Sequence, residues 1–240
     1  MHAEIKGATI PTVEIWLAEG EYVVTLRGEL AWMTTSVSLA PFVVTETGQP
    51  GRRRRPAKAG GLRLTRYQGP GSVTFAAREP GVIYPLQVAA GRAYLVPSEG
   101  WICGTSGVQA SPGPYLGSGR EPSAPPGDRA QLLKLEGEGQ AWVGFGGDVT
   151  SYELPPGQAI LAGPGHLGMC EAAVRIAVTA TPAHGRPGAG APRLLELTGP
   201  GQIWLRSLPI PELAHQPQPF TIAPETGAGN RAAARRRAGG

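Results

Sequence analysis

One pattern occurs three times in this chain, and it leaves few folds open. Two apolar residues stand five and three places before a glycine, an apolar pair stands three and four places after it, and a further apolar residue stands ten places after. The glycines are Gly20, Gly91 and Gly157, 71 and 66 residues apart. Ahead of them come Ile15 and Leu17, Leu86 and Val88, Tyr152 and Leu154. Behind them come Val23 and Val24, Tyr94 and Leu95, Ile160 and Leu161, and then Leu30, Trp101 and Leu167. A spacing of two is the period of a strand with one buried face. Glycine supplies the turn between two such strands because it reaches positive φ without steric cost. Recurrence at a near-constant interval marks a repeated supersecondary unit. A strand–turn–strand unit, here called B, is therefore predicted over 11–44, 82–110 and 149–179.

A second signal alternates with the first. Gly69-Pro70-Gly71 is echoed by Gly137-Glu138-Gly139 and by Gly199-Pro200-Gly201, each followed by an alternating apolar run and preceded, two places before, by Tyr67, Leu135 or Leu197. Glycine-x-glycine between two such runs predicts a hairpin, A, over 62–77, 132–145 and 194–205. Trp142 and Trp204 occupy one place in this unit, five after its first glycine, and Thr74 holds that place in the first copy. The chain thus runs B, A, B, A, B, A. If each A pairs with the B that follows, the last A completes the first B and the ends close a ring of three. That closure is the favoured expectation, because it leaves fewer exposed sheet edges; pairing of each A with the preceding B is the alternative.

Composition supports an all-β reading. The 240 residues hold 36 Gly and 25 Pro, about a quarter of the chain, a level that reaches low complexity when no apolar pattern accompanies it. Here short alternating runs lie between the glycines and prolines, so these are turns, and few windows show helical spacing. The expectation is one β domain over 1–215, built of three β-sandwich, double-stranded β-helix-like units in pseudo-threefold arrangement. A basic loop over 48–60 and a disordered tail over 224–240 lie outside the pattern, as does a Pro/Gly-rich surface loop over 111–128.

The formal charge of +4 is unevenly placed. Arg52, Arg53, Arg54, Arg55 and Lys58 carry five positive charges, and the tail, with Arg231, Arg235, Arg236 and Arg237 against Glu225, carries a net three. The body of the chain is left at −4. Basicity confined to two arms, without interleaved aromatics, supports at most salt-sensitive phosphate contacts through Arg52–Arg55 and Arg235–Arg237. Cys103 and Cys170 are too few for a disulfide scaffold or a zinc site, and their different offsets from the B glycines put them on opposite strand faces unless a bulge intervenes. No signal-peptide pattern and no apolar run of spanning length is present, which predicts a cytoplasmic location.

No reaction centre emerges. Gly163-Pro164-Gly165-His166-Leu167-Gly168 matches G-x-G-x-x-G, but the acidic residue expected about 20 places on is missing, so it reads as a turn rather than a dinucleotide loop. The four histidines, His2, His166, His184 and His215, include no close pair, and His166 with Glu171 is the nearest approach to a metal set. There is neither a G-x-S-x-G nor a G-K-[ST] sequence. No catalytic residue, cofactor or metal is expected. Trp142 and Trp204 could stack bases, but the repeat makes them packing positions first.

Several stretches together resemble a known family. They are Ala18-Glu19-Gly20-Glu21 leading to Ala31-Trp32-Met33, the run 83–91, and Leu133-Lys134-Leu135-Glu136-Gly137-Glu138-Gly139. Leu154-Pro155-Pro156-Gly157-Gln158, Gly165-His166-Leu167 and Gly199-Pro200-Gly201-Gln202-Ile203-Trp204 extend the likeness over 3–214. The chain resembles the bacterial and mitochondrial family named for altered inheritance of mitochondria, the mitochondrial biogenesis proteins. That resemblance implies a pseudo-threefold arrangement of β-sandwich units, related to the tryptophan-RNA-binding attenuator (TRAP-like) fold, and carries no catalytic residues. Where members have a Gly-rich, leucine-containing insertion, this chain has arginines within 48–61. The function expected is a non-catalytic scaffold or binding protein acting as a homo-oligomer. The alternatives are RNA binding through the basic arms and small-ligand binding between units.

Overall fold

The computed structural model describes residues 1–26, 30–44, 62–116, 130–180 and 193–210. The first segment holds β1 (His2–Lys6), β2 (Thr12–Leu17), β3 (Tyr22–Thr25), β4 (Leu30–Met33), β5 (Ser38–Val44), β6 (Leu62–Gln68) and β7 (Gly71–Ala76). The second holds β8 (Gly81–Val88), β9 (Tyr94–Pro97), β10 (Trp101–Thr105), β11 (Val108–Leu116), β12 (Ala130–Gly137) and β13 (Gly139–Gly146). The third holds β14 (Val149–Leu154), β15 (Ala159–Ala162), β16 (Leu167–Glu171), β17 (Arg175–Ala180), β18 (Arg193–Thr198) and β19 (Gly201–Arg206). One turn of 3-10 helix, Pro164–His166, is the only helical element among the described residues. It falls within the G-x-G-x-x-G match and runs straight into β16, so no helix N-terminus forms there.

The strands make four antiparallel sheets: β1-β2-β7-β4 (sheet I), β5-β6-β3-β10-β13-β8 (II), β11-β12-β9-β16-β19-β14 (III) and β15-β18-β17 (IV). The pairings recur from segment to segment. In the first, β7 lies between β2 and β4, and β6 between β3 and β5. In the second, β13 lies between β8 and β10, and β12 between β9 and β11. In the third, β19 lies between β14 and β16, and β18 between β15 and β17. Each segment thus contributes three strands to one sheet and three to the next, the first adding β1 as a fourth strand of sheet I, with an apolar core between the two sheets. Val13, Ile15, Val23, Tyr67, Val73 and Phe75 pack between sheets I and II. Val88, Val96, Leu133, Leu135, Ala141 and Val143 pack between II and III. Leu167, Leu195, Leu197 and Ile203 pack between III and IV.

Two expectations are corrected by this topology. The A segments are not hairpins: β6 belongs to sheet II and β7 to sheet I, and the Gly69-Pro70-Gly71 turn carries the chain across the core. The reason is in the apolar faces. Tyr67 and Phe75, on either side of the turn, meet edge to face with ring centroids 5.2 Å apart. Hydrogen-bonded to each other in one sheet, β6 and β7 would leave that apolar face with nothing opposite it. Each A also pairs with the B that precedes it, not with the one that follows, so the last A does not complete the first B and that ring closure is not made. A smaller correction concerns 111–128: the strand β11 continues through Pro112 and Pro114 to Leu116. Strand β11 is the edge of sheet III, where a missing N–H costs no ladder bond.

The turn glycines do two different jobs. Gly20, Gly91 and Gly157 have φ of 81°, 80° and 80°, and among the described residues no neighbouring atom lies close to where their Cβ would stand. They are required by backbone conformation alone. Gly69 has the opposite need: a Cβ there would sit 2.5 Å from the carbonyl oxygen of Ala18. Gly199 is crowded in the same way by the carbonyls of Leu154 and Pro155.

Candidate functional site

The polar groups singled out in the sequence do not converge. His166 closes the 3-10 turn, and its Nδ1 lies 2.9 Å from the carbonyl oxygen of Arg206. A carbonyl only accepts, so Nδ1 carries the proton and donates it. Glu171 stands at the far end of β16, where it accepts from the backbone N–H of Gln202 at 3.2 Å and lies 3.7 Å from Arg92. His2 stacks on Trp16 with centroids 5.2 Å apart. Among the described residues no three of His, Cys, Asp and Glu approach closely enough to hold a metal ion. Arg52–Arg55, Arg235–Arg237, His184 and His215 lie outside the described residues.

The thiols are buried apart from each other. Cys103 lies in the core between sheets I and II, and Cys170 in the core between III and IV. A β-bulge does interrupt each of these strands, but at the same place in both, between Trp101 and Cys103 and between Leu167 and Met169. The relative offset of the two cysteines is therefore preserved. Burial, with Glu171 adding to it, pushes the Cys170 thiol up to about 12, which keeps it neutral and unreactive.

Trp142 and Trp204 are buried and hold matching positions, yet each packs beyond its own segment. Trp142 belongs to the core between sheets I and II, Trp204 to the core between II and III. Neither face is open to a nucleotide base. One pair that sequence reasoning missed is Arg206 with Glu79. Arg206 is buried, its guanidinium pairs with Glu79, and its Nε donates to the carbonyl of Leu208 at 2.6 Å. This ties the third segment to the link between the first two. A lone arginine closing a strand gives no sequence signal of such a partner.

What the surface does offer is apolar. A cavity of about 180 Å³ is lined by Leu95, Leu116, Val174, Ile176 and Val178 between the second and third segments. The terminal sheets present large apolar side chains to solvent: Trp16 and Trp32 on sheet I, Leu161 and Val178 on sheet IV. No helix among the described residues is long and apolar enough to cross a membrane.

Four antiparallel sheets, with a single turn of 3-10 helix among the described residues, place this chain in the class of all-β proteins. The chain belongs to the family described as mitochondrial biogenesis AIM24, whose pattern matches residues 3–208. Among solved structures it is similar to the crystal structure of protein SPYM3_0169 from Streptococcus pyogenes, at 18% identity, over 87% of this chain and 94% of that one, with a TM-score of 0.64. At that identity the likeness is one of fold. No curated protein matches the chain.

Proposed function

We propose that this protein is a non-catalytic β scaffold, made of three equivalent units in the manner of the attenuator-like (TRAP-like) β fold, and that it works as a homo-oligomer. The equivalence of the units rests on the recurring pairings, on the three matching turn glycines and on a bulge at one place in β4, β10 and β16. The scaffold reading is carried by one observation. Trp32 on sheet I is 57% exposed and Leu161 on sheet IV is 55% exposed, at positions where the other units bury their side chains. Isolated exposed apolar residues are ordinary, and Leu39, Tyr115 and Tyr152 on sheets II and III are exposed too, but exposure at positions that the other units bury suits association.

The cavity at Leu95 and Ile176 favours a second reading, in which a small apolar ligand sits between units. RNA binding through Arg52–Arg55 and the arginine tail is the third, supported by composition and by analogy of fold alone. Native mass spectrometry of the purified protein separates them. The scaffold reading expects an integral number of 24.9 kDa chains and no other mass. A retained small molecule would favour the ligand reading, and nucleic acid lost as salt is raised would favour the third. A bare monomer at every concentration would sink the scaffold reading.

A further inference from the structure

Strand β3 of the first segment pairs with β10 of the second, Val24 opposite Gly104 and Val23 opposite Thr105. Strand β9 of the second pairs with β16 of the third in the same register, Leu95 opposite Cys170 and Tyr94 opposite Glu171. These two junctions turn half-sheets into the six-stranded sheets II and III. The next member of the series would join β15 of the third segment to a strand equivalent to β10 and β16. That strand is β4, which has the same bulge, between Leu30 and Trp32, and the same place beside β7. Yet β15 and β4 are the edges of sheets IV and I and have no partner on that side among the described residues.

Three further observations say that these edges are built for each other. The first is burial at matching positions. Val24 and Leu95 are 3% and 8% exposed, against 55% for Leu161; Cys103 and Met169 are 0% exposed, against 57% for Trp32. The second is which core each side chain enters where a junction exists. Val24 and Leu95 reach the core of the following segment, while Cys103 and Met169 reach the core of the preceding one. The bulged strand and its neighbour also carry one tryptophan per segment in the facing pair: Trp32 with Thr74, Cys103 with Trp142, Met169 with Trp204. The third is edge chemistry. Sheet edges are protected from pairing by prolines and charges. Among the eight edge strands, β5, β8 and β11 contain proline, and β1, β14 and β17 contain charged residues. Only Leu30-Ala31-Trp32-Met33 and Ala159-Ile160-Leu161-Ala162 have neither.

We propose that β15 of one copy pairs antiparallel with β4 of a second copy, Leu161 opposite Met33 and Ile160 opposite Thr34, continuing between chains the junction made twice within the chain. The inference deepens the scaffold reading and rests on it, naming the surface and the partner. Such a contact is heterologous: each chain offers β15 at one end and β4 at the other, so copies add head to tail, into a ring if the rotation closes and a filament if it does not. Trp32 of the added copy then enters the core beside sheet IV, and Leu161 enters the core beside the added copy's sheet I.

The test uses the full chain with Trp32→Lys or Leu161→Lys, both at exposed positions where folding is tolerant of change. The wild type is expected to sediment as a multiple of one chain and each variant as a monomer. An equimolar mixture of the two variants is expected to form a dimer and stop there, because one intact β15 then meets one intact β4. In parallel, Met33→Cys and Leu161→Cys proteins are expected to form a disulfide only when mixed. Variants that keep the wild-type mass would overturn the β4–β15 junction and leave the homo-oligomer reading standing. A wild type that stays monomeric at its highest soluble concentration would overturn both. A disulfide formed within one chain carrying both cysteines would overturn the pairing between copies.

Discussion

Gly20 and Gly69 belong to the same segment and are required for different reasons, which makes them a quantitative test of the turn assignments. In Gly20→Ala the new methyl group meets no neighbour among the described residues, and the cost is the left-handed backbone at φ 81°. That conformation costs a non-glycine residue roughly 1–2 kcal/mol, partly offset by the smaller conformational freedom of the unfolded chain, so a net loss of about 1 kcal/mol is expected. In Gly69→Ala the methyl carbon is driven to 2.5 Å from the Ala18 carbonyl oxygen and 2.7 Å from the Leu17 carbonyl oxygen. Both obstacles are backbone. The Ala18 carbonyl also accepts the Glu21 N–H at 3.2 Å, and the Glu21 carbonyl accepts the Gly69 N–H at 3.0 Å, so relief of the overlap loosens the turn around Gly20 as well. Overpacking costs roughly 1–3 kcal/mol and a strained hydrogen bond about 1 more, giving a loss of about 3 kcal/mol. For a chain of this size, each kcal/mol lowers the midpoint by roughly 2–4 °C. Thermal unfolding followed by circular dichroism should therefore show Gly69→Ala losing about three times as many degrees as Gly20→Ala. A Gly69→Ala midpoint no lower than that of Gly20→Ala would refute the close-approach argument.

Two other substitutions follow from burial. Thr74 is fully buried and its hydroxyl has no hydrogen-bond partner among the described residues, so Thr74→Val should raise the midpoint, by a gain of about 1 kcal/mol; chemical denaturation that shows a loss instead would mean the hydroxyl is bonded. Cys170, held neutral up to about 12 in the folded chain against an unfolded value of 9.0, contributes stability that is complete below pH 9 and declines as pH rises toward 12. Between pH 9 and about pH 10.5 the wild type should lose about 2 kcal/mol relative to Cys170→Ala, and urea titrations showing parallel declines would contradict the burial argument.

The strands and the glycine turns were legible in the sequence because what defines them is local. Gly20, Gly91 and Gly157 sit where only a few residues decide φ, and the alternation of Val13, Ile15 and Leu17 is an instruction carried within six residues. Trp142 and Trp204 were recognisable as packing positions for the same reason. Partner choice was less legible. The run from Leu62 to Ala76 reads equally well as a hairpin or as two strands facing each other across a core, because both use the same alternation and the same glycines. The choice was made by the contact of Tyr67 with Phe75 across the core and by the more distant strands that flank each of them. Arg206 with Glu79 joins residues 127 apart and leaves no periodic trace.

The same division between local and long-range information explains why the open edges escaped a sequence reading. Ala159-Ile160-Leu161-Ala162 is indistinguishable from Ala141 or Val143 and their neighbours as an apolar strand, and its composition alone predicts burial. Its exposure becomes meaningful only beside Val24 and Leu95, which occupy the same place and are covered by the next segment. The two junctions supply two such covers and, among the described residues, leave β4 and β15 without that neighbour. Many repeat proteins protect those ends with polar capping units. Here β1 reinforces the opposite edge of sheet I, through the Lys6–Glu14 pair at 2.7 Å, and leaves β4 untouched. The charge on one edge of the first sheet, and the apolar character of its other edge and of the matching edge of the last sheet, are what the proposed head-to-tail pairing predicts, and sedimentation of the Trp32→Lys and Leu161→Lys variants tests it.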